Sequence, residues 1–198
     1  MKKQKKNYHS ALTQPLKIEK ELSYYGNNGN FVIKRDICKG LPEEFRLCDV
    51  IYSEPSWLMG YEKFLSRAST EGSDYKKYIE SISGIIKKTN KPIWIVTGRH
   101  ALKHFPIPHH SQEIKLFHHD AFLLGWNDRS LDWTDFGSIK TTDNLLEILS
   151  DTYDRVGDFC CGYGNTARAF LNKGKEFVMS DINGKCVYYI AKELMGYA

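Results

Sequence analysis

The stretch from Arg155 to Asn183 constrains this chain most. Val156 to Cys161 has the length of a short strand and closes on Gly162. Gly162 and Gly164 bracket a turn, Asn165 or Thr166 can cap the helix that follows, and Gly174 can end it. Glu176 to Met179 reads as a second strand, with Asp181 at its tip. Glycines let the backbone approach a ligand closely at a helix N-terminus, and an acid at the end of the next strand can take both hydroxyls of a ribose. The pattern predicts a site for a nucleoside-containing cofactor. A nicotinamide turn would need a third glycine where this chain has Ala167, which argues against a dinucleotide oxidoreductase.

The rest of the chain repeats the alternation of strand and helix. Phe31–Ile33, Cys48–Tyr52 and Pro92–Thr97 are apolar runs of strand length, and two further strand-like pieces lie between Ile114 and Trp126. Helical spacing runs over Tyr61–Lys88, with a break near Thr70–Ser73, then over Thr141–Tyr153 and Gly184–Leu194. With the two strands of the glycine stretch this makes about seven strands with helices between them, and predicts an α/β fold on a largely parallel sheet. Residues 1–30 form a polar, basic N-terminal segment that begins with Lys2, Lys3, Lys5 and Lys6, and residues 31–198 form one domain. Tyr24 to Asn30 reads as loop by composition.

Composition sets the outer bounds. A chain of 198 residues with 41% hydrophobic content can bury a sizeable core. A net charge of +4 permits a polyanionic partner without requiring one. The five cysteines show no zinc-type spacing, and a disulfide between the adjacent Cys160 and Cys161 would be strained, so they read as reduced thiols of a cytoplasmic protein. No apolar run is long enough to span a bilayer, and the basic start is followed by no apolar segment, so neither a membrane anchor nor a secretory signal is expected.

Four segments in order resemble one family. Phe31–Asp36, a Leu41-Pro42 turn, and Asp49-Val50-Ile51-Tyr52-Ser53 leading into Glu54-Pro55-Ser56-Trp57 resemble the segment in which amino-methyltransferases carry their catalytic tetrapeptide. That tetrapeptide is typically Asp, Asn or Ser, then Pro-Pro and an aromatic. Ser138-Ile139-Lys140-Thr141 and the following Leu145-Leu146-Glu147 look like the helix before the cofactor loop. Asp158-Phe159-Cys160-Cys161-Gly162-Tyr163-Gly164-Asn165-Thr166 is similar to the S-adenosylmethionine loop Asp-Pro-Phe-Cys-Gly-Ser-Gly-Thr-Thr, and Asp181 matches the acid after the next strand. The tetrapeptide precedes the cofactor loop, which is the permuted order of many DNA adenine-N6 and cytosine-N4 methyltransferases, and the Asp-Val-Ile-Tyr lead-in is closest to the adenine-N6 branch that includes mRNA adenosine enzymes. Among the departures from the pattern, Glu54 stands for Asp or Asn, Ser56 for the second Pro, and Cys160 for Phe.

The resemblance implies a single doubly wound, mostly parallel, seven-stranded Rossmann-like methyltransferase sheet with helices on both faces. It implies S-adenosylmethionine as cofactor and methyl transfer to the exocyclic N6 amine of adenine in DNA. Cytosine-N4 or RNA adenosine transfer, or a catalytically degenerate fold that binds nucleic acid or a protein partner, remain open alternatives, the last motivated by Glu54 and Ser56. In this reading Glu54 and the Pro55 carbonyl accept the hydrogens of the amine, Ser56 completes the tetrapeptide, and Trp57 stacks on the flipped base. Gly162 and Gly164 admit the methionine part of the cofactor beside Cys160. Asp158 sits by its amino group, Asp181 on the ribose and Asp36 by the adenine, while Ser138 and Lys140 neutralise the carboxylate. The region between the tetrapeptide and the cofactor loop leaves little chain for base recognition, so a loose target site, or a protein partner or second copy that supplies recognition, is expected. His109-His110 and His118-His119 come in pairs, but adjacent strand residues point to opposite faces, so no metal site is expected. Arg99, His100, Lys103 and His104 form a basic cluster able to meet a phosphate backbone.

Overall fold

A computed structural model of the chain describes residues 22–26, 28–56, 61–63, 65–66, 74–116, 119–131 and 139–197. Eight strands form one sheet: β1 (Ser23–Tyr25), β2 (Phe31–Lys34), β3 (Val50–Ser53), β4 (Ile93–Thr97), β5 (His110–Leu116), β6 (His119–Trp126), β7 (Arg155–Asp158) and β8 (Glu176–Asp181). Their spatial order is β1-β2-β8-β7-β3-β4-β6-β5. The five strands from β2 to β4 pair in parallel. β6 runs antiparallel to both β4 and β5, and β1 runs antiparallel to β2.

The expected seven strands are therefore eight among the described residues. The additional one, β1, lies at the end of the polar segment, where Tyr24 and Tyr25 had read as loop. Its three residues are too few to show a period of two, and only the edge of β2 makes them a strand. Similarly, β5 starts at His110 and not near Ile114. His-Ser-Gln-Glu is polar because β5 is the outer strand of the sheet, with much of its length exposed to solvent.

Helices α1 (Tyr75–Lys88), α2 (Thr142–Thr152), α3 (Asn165–Leu171) and α4 (Gly184–Met195) cover the two faces. Strand alternation sorts the core. Val50, Tyr52, Trp94 and Val96 point to one face and pack with Leu145, Leu146 and Leu149 of α2, Phe170 of α3, and Val187 and Ile190 of α4. Ile51, Ile93 and Ile95 point to the other face, where Tyr78, Ile79, Ile82 and Ile86 of α1 cover them. Burying one such isoleucine is worth about 1.5–3 kcal/mol, so the α1 stripe alone anchors that helix. Asp74 caps α1 by accepting from the Lys77 N–H, Thr141 caps α2 by accepting from Asn144 N–H, and Asn183 caps α4 by accepting from Lys185 N–H. No helix among the described residues is long and apolar enough to cross a membrane.

Candidate active site

Strands β2, β8, β7 and β3 are neighbours, and being parallel they end at one edge of the sheet. α3 carries the chain from β7 to β8, whereas α1 carries it from β3 to β4 on the opposite side, so the connections leave the β7–β3 boundary in opposite directions. Open α/β sheets take their ligands in the crevice at such a point. A cleft of about 190 Å³ lies there, lined from each of the four strand ends. β2 contributes Arg35 and Asp36, β3 Glu54 and Ser56, β7 Phe159, Cys160 and Gly162, and β8 Asp181 and Ile182. Tyr61 and Tyr78 close one wall, their rings stacked at 4.5 Å.

The loop after β7 is held by two carboxylates. Asp181 accepts from the Gly162 N–H at 2.9 Å and, through its other oxygen, from the Asn183 N–H at 2.8 Å. Burial pushes its pKa up to about 6, against the pull of those two backbone bonds. Asp158 lies beneath the loop, 3% exposed. One of its oxygens accepts from Ser53 Oγ and from the Cys160 N–H, each at 3.0 Å, and the other accepts from Thr166 Oγ1 at 2.7 Å. Burial dominates these three donors and raises its pKa to about 7. Gly164 stands at the N-terminus of α3 with φ 79°. A Cβ there would lie 3.0 Å from Cγ1 of Ile190, so the turn needs glycine for conformation and for space. Gly162 also has positive φ, 49°, but a Cβ on it would meet nothing within 4 Å, so its open side faces the cleft it lines.

The loop after β3 is held by two tyrosines. Tyr52 donates its hydroxyl to Glu54 Oε1. Burial pushes the Glu54 carboxyl above the usual carboxylate range, against the pull of that bond, and Asp143 at the start of α2 pushes in the same direction as burial. Tyr78 accepts the Ser56 N–H on its hydroxyl at 3.0 Å, and the same oxygen lies 3.3 Å from Cys160 Sγ. Burial drives the Cys160 thiol well up, so it is held as the neutral thiol.

Of the residues singled out from sequence, Asp36, Glu54, Ser56, Cys160, Gly162 and Asp181 line this cleft together. Pro55 is buried beside them, and Gly164 sits behind the loop against α4. Asp158 is turned into the protein and is not part of the lining. Lys140 is exposed and does not line the cleft either. Trp57 and Ser138 fall outside the described residues.

No protein-family model matches the chain, and no curated protein matches it. Solved structures do. The crystal structure of M1.HpyAVI aligns with a TM-score of 0.50 at 13% identity, over 82% of this chain and 97% of that one. The M1.HpyAVI–SAM complex aligns with a TM-score of 0.52 at 11% identity, over 84% of this chain and 98% of that one. A weaker likeness, with a TM-score of 0.47 at 13% identity over 81% of this chain and 92% of that one, is to TTHA0409 of Thermus thermophilus, a candidate DNA modification methylase, and it carries no weight. At these identities the likeness concerns the fold. The chain shares the fold of M1.HpyAVI.

Tyr52, Ser53, Tyr61 and Tyr78 carried no site role by sequence, and Thr166, expected as a helix cap, lies inside α3 behind the cap residue Gly164 and donates to Asp158. Tyr78 falls in the helical stretch Tyr61–Lys88, where spacing marks it only as a buried position, and its hydroxyl gives no signal. Tyr52 carried one: it stands two residues before Glu54, and alternate strand residues share a face. The paired histidines lie elsewhere. His109 Nδ1 accepts from the Asn127 N–H at 3.0 Å, and the His110 ring stacks on Trp94, near Pro92 at the opposite end of β4 from the cleft. His118 falls outside the described residues.

Proposed function

We propose that the chain is an S-adenosylmethionine-dependent methyltransferase that acts on the exocyclic N6 amine of adenine in DNA. The observation that carries this reading is the cleft itself: an acid at the end of β3, Glu54, opens onto the same space as the Gly162 loop and Asp181. M1.HpyAVI, which shares the fold, has been crystallised with SAM.

The residues present fit such a cofactor. Gly162 offers an open backbone face, and the Asp181 oxygens retain lone pairs for ribose hydroxyls beyond the one backbone N–H each accepts. Asp36 uses Oδ1 to cap the turn at Ile37–Lys39, which leaves Oδ2 for an adenine amine. Bound there, S-adenosylmethionine supplies the methyl group. The work of the chain is to prepare the acceptor. An exocyclic amine is a poor nucleophile because its lone pair is delocalised into the ring. Glu54 Oε2 and the Pro55 carbonyl accept its two hydrogens and hold the nitrogen in an attack geometry. The raised pKa of Glu54 suits it to receive the proton that the nitrogen sheds on methylation. Trp57 takes the role of stacking on the extruded base, a contact worth roughly 1–3 kcal/mol.

Incubation with labelled S-adenosylmethionine and a panel of duplex DNA, single-stranded DNA and RNA, followed by identification of the modified base, tests the reading. N6-methyladenine in DNA is expected. Label in N4-methylcytosine or in RNA corrects the substrate, and cofactor binding without transfer to any polynucleotide overturns the activity.

A further inference from the structure

The tetrapeptide departs from the Asp-Pro-Pro-aromatic pattern at two places, and at each a buried tyrosine hydroxyl meets the change. Glutamate is one methylene longer than aspartate and has one more rotatable bond, so its carboxylate is harder to aim. Tyr52, 1% exposed and two residues earlier on the same face of β3, donates to Glu54 Oε1. That bond engages one oxygen and leaves Oε2 as the acceptor that can turn to the cleft. Serine in place of the second proline restores a backbone N–H that proline lacks, and an unmet buried donor costs about 1–3 kcal/mol. Tyr78, 6% exposed, takes that N–H on its hydroxyl at 3.0 Å. The same oxygen lies 3.3 Å from Cys160 Sγ, on the loop that carries Gly162, so it joins the two loops that form the cleft.

We infer that Tyr52 and Tyr78 are positioning residues: a pair of hydroxyls that holds the Glu54-Pro55-Ser56 backbone and aims the Glu54 carboxylate for substrate. The inference rests on the methyl-transfer reading of the site and separates a working variant of the tetrapeptide from a decayed one. The groups that face Glu54 are Tyr52 on β3, Asp143 at the start of α2 and Asp158 at the end of β7. Asp143 disfavours its charge, the Tyr52 bond favours it, and the charge of Glu54 in turn raises the Asp158 carboxyl.

The test uses Tyr52→Phe and Tyr78→Phe in the full chain, both of which keep the buried ring. Circular dichroism and melting check the fold. A carbon-13 carboxyl titration without substrate reads Glu54 directly, and its midpoint should move upward in Tyr52→Phe because a bond to the charged form is gone. Amide hydrogen exchange reads Ser56, which should lose protection in Tyr78→Phe. In Tyr52→Phe cofactor affinity should stay within about twofold, and in both variants kcat should fall on the order of tenfold to a hundredfold, as for a misplaced acceptor. Two backgrounds guard against a merely structural loss. Tyr52→Phe should cost less in Glu54→Asp, whose carboxylate stands one methylene further from the hydroxyl, than in the wild type, and Tyr78→Phe should cost less in Ser56→Pro, which has no N–H to give and leaves only the Cys160 contact to lose. An unmoved Glu54 midpoint, unchanged Ser56 exchange, or additive losses in these pairs overturns the inference. The titration and exchange need no turnover, so a wild-type chain without methyl transfer sinks the functional reading and leaves the hydroxyl clamp standing on its own measurements.

Discussion

Ser53 Oγ donates to Asp158 Oδ1 at 3.0 Å, and so joins two residues 105 positions apart at the ends of adjacent parallel strands. This bond spans the boundary from which the connections of β7 and β3 diverge. It ties the start of the tetrapeptide to the start of the glycine loop, and Asp158 carries the tie onward to Thr166 at the N-terminus of α3. Asp158 thus acts as the keel of the cleft from below.

The first prediction concerns that tie. Ser53→Ala removes a donor from a buried carboxylate and should destabilise the chain by about 1–3 kcal/mol. Urea unfolding of variant and wild type measures it. A loss near zero would show that water replaces the hydroxyl.

The second prediction is a pH dependence. Asp158 titrates near 7 in the folded chain and near 4 unfolded, so the folded state binds the proton more tightly. Its contribution is full below about pH 4 and is lost as pH rises toward about 7. Asp158→Asn removes that term. The stability of the variant relative to wild type should therefore rise from about pH 4 and level off above about pH 7, with thermal melting across the range as the readout. A difference that does not change with pH would mean that the three donors keep Asp158 ionised throughout.

Asp181 gives the third. Asp181→Ala removes the acceptor for Gly162 and Asn183 and the group assigned to the ribose. A hydrogen bond to a charged group is worth about 1.5–3 kcal/mol, so S-adenosylmethionine affinity should drop roughly tenfold to a hundredfold by calorimetry. Unchanged affinity would remove Asp181 from the cofactor site.

Glu54 gives the fourth. Glu54→Ala should abolish methyl transfer and leave cofactor affinity largely intact. In the wild type the acceptor must be ionised, so kcat should fall as pH drops through the raised Glu54 pKa. Equal activity in the alanine variant would end the proposed role of the tetrapeptide.

A fifth tests the turn. Gly164→Ala places a side chain at φ 79° and a Cβ 3.0 Å from Ile190. It should cost about 1–3 kcal/mol in stability from the backbone alone. Gly162→Ala meets no neighbour, so its penalty should come from conformation and from ligand binding.

Several features were legible in the residues themselves. The parallel strands β2, β3, β4 and β8 announce themselves as apolar runs, and helices α1, α2 and α4 show their apolar stripes, because burial on one or both faces imposes a short period; β7, with one apolar side chain, ends at Asp158 and not at Cys161. The glycine turn and Asp181 were legible for a related reason: only glycine adopts that backbone cheaply, and an acid at a strand tip stands out. Edge strands were not legible. β1 and the start of β5 are partly solvated and owe their form to the neighbouring strand.

Local period and backbone freedom set the alternation of strand and helix, the turn at Gly162–Gly164, and the types of residue brought to it. Which of those residues share the cleft depends on the packing of distant segments. Asp158 and Asp181 look alike as acids at strand ends, yet one is locked beneath the loop and the other opens to the cleft. Tyr52 and Tyr78 look like core residues, yet their hydroxyls hold Glu54 and Ser56. The direction of a side chain and the partner of a buried hydroxyl depend on which strands pair and which helix covers them, and that is settled by long-range packing.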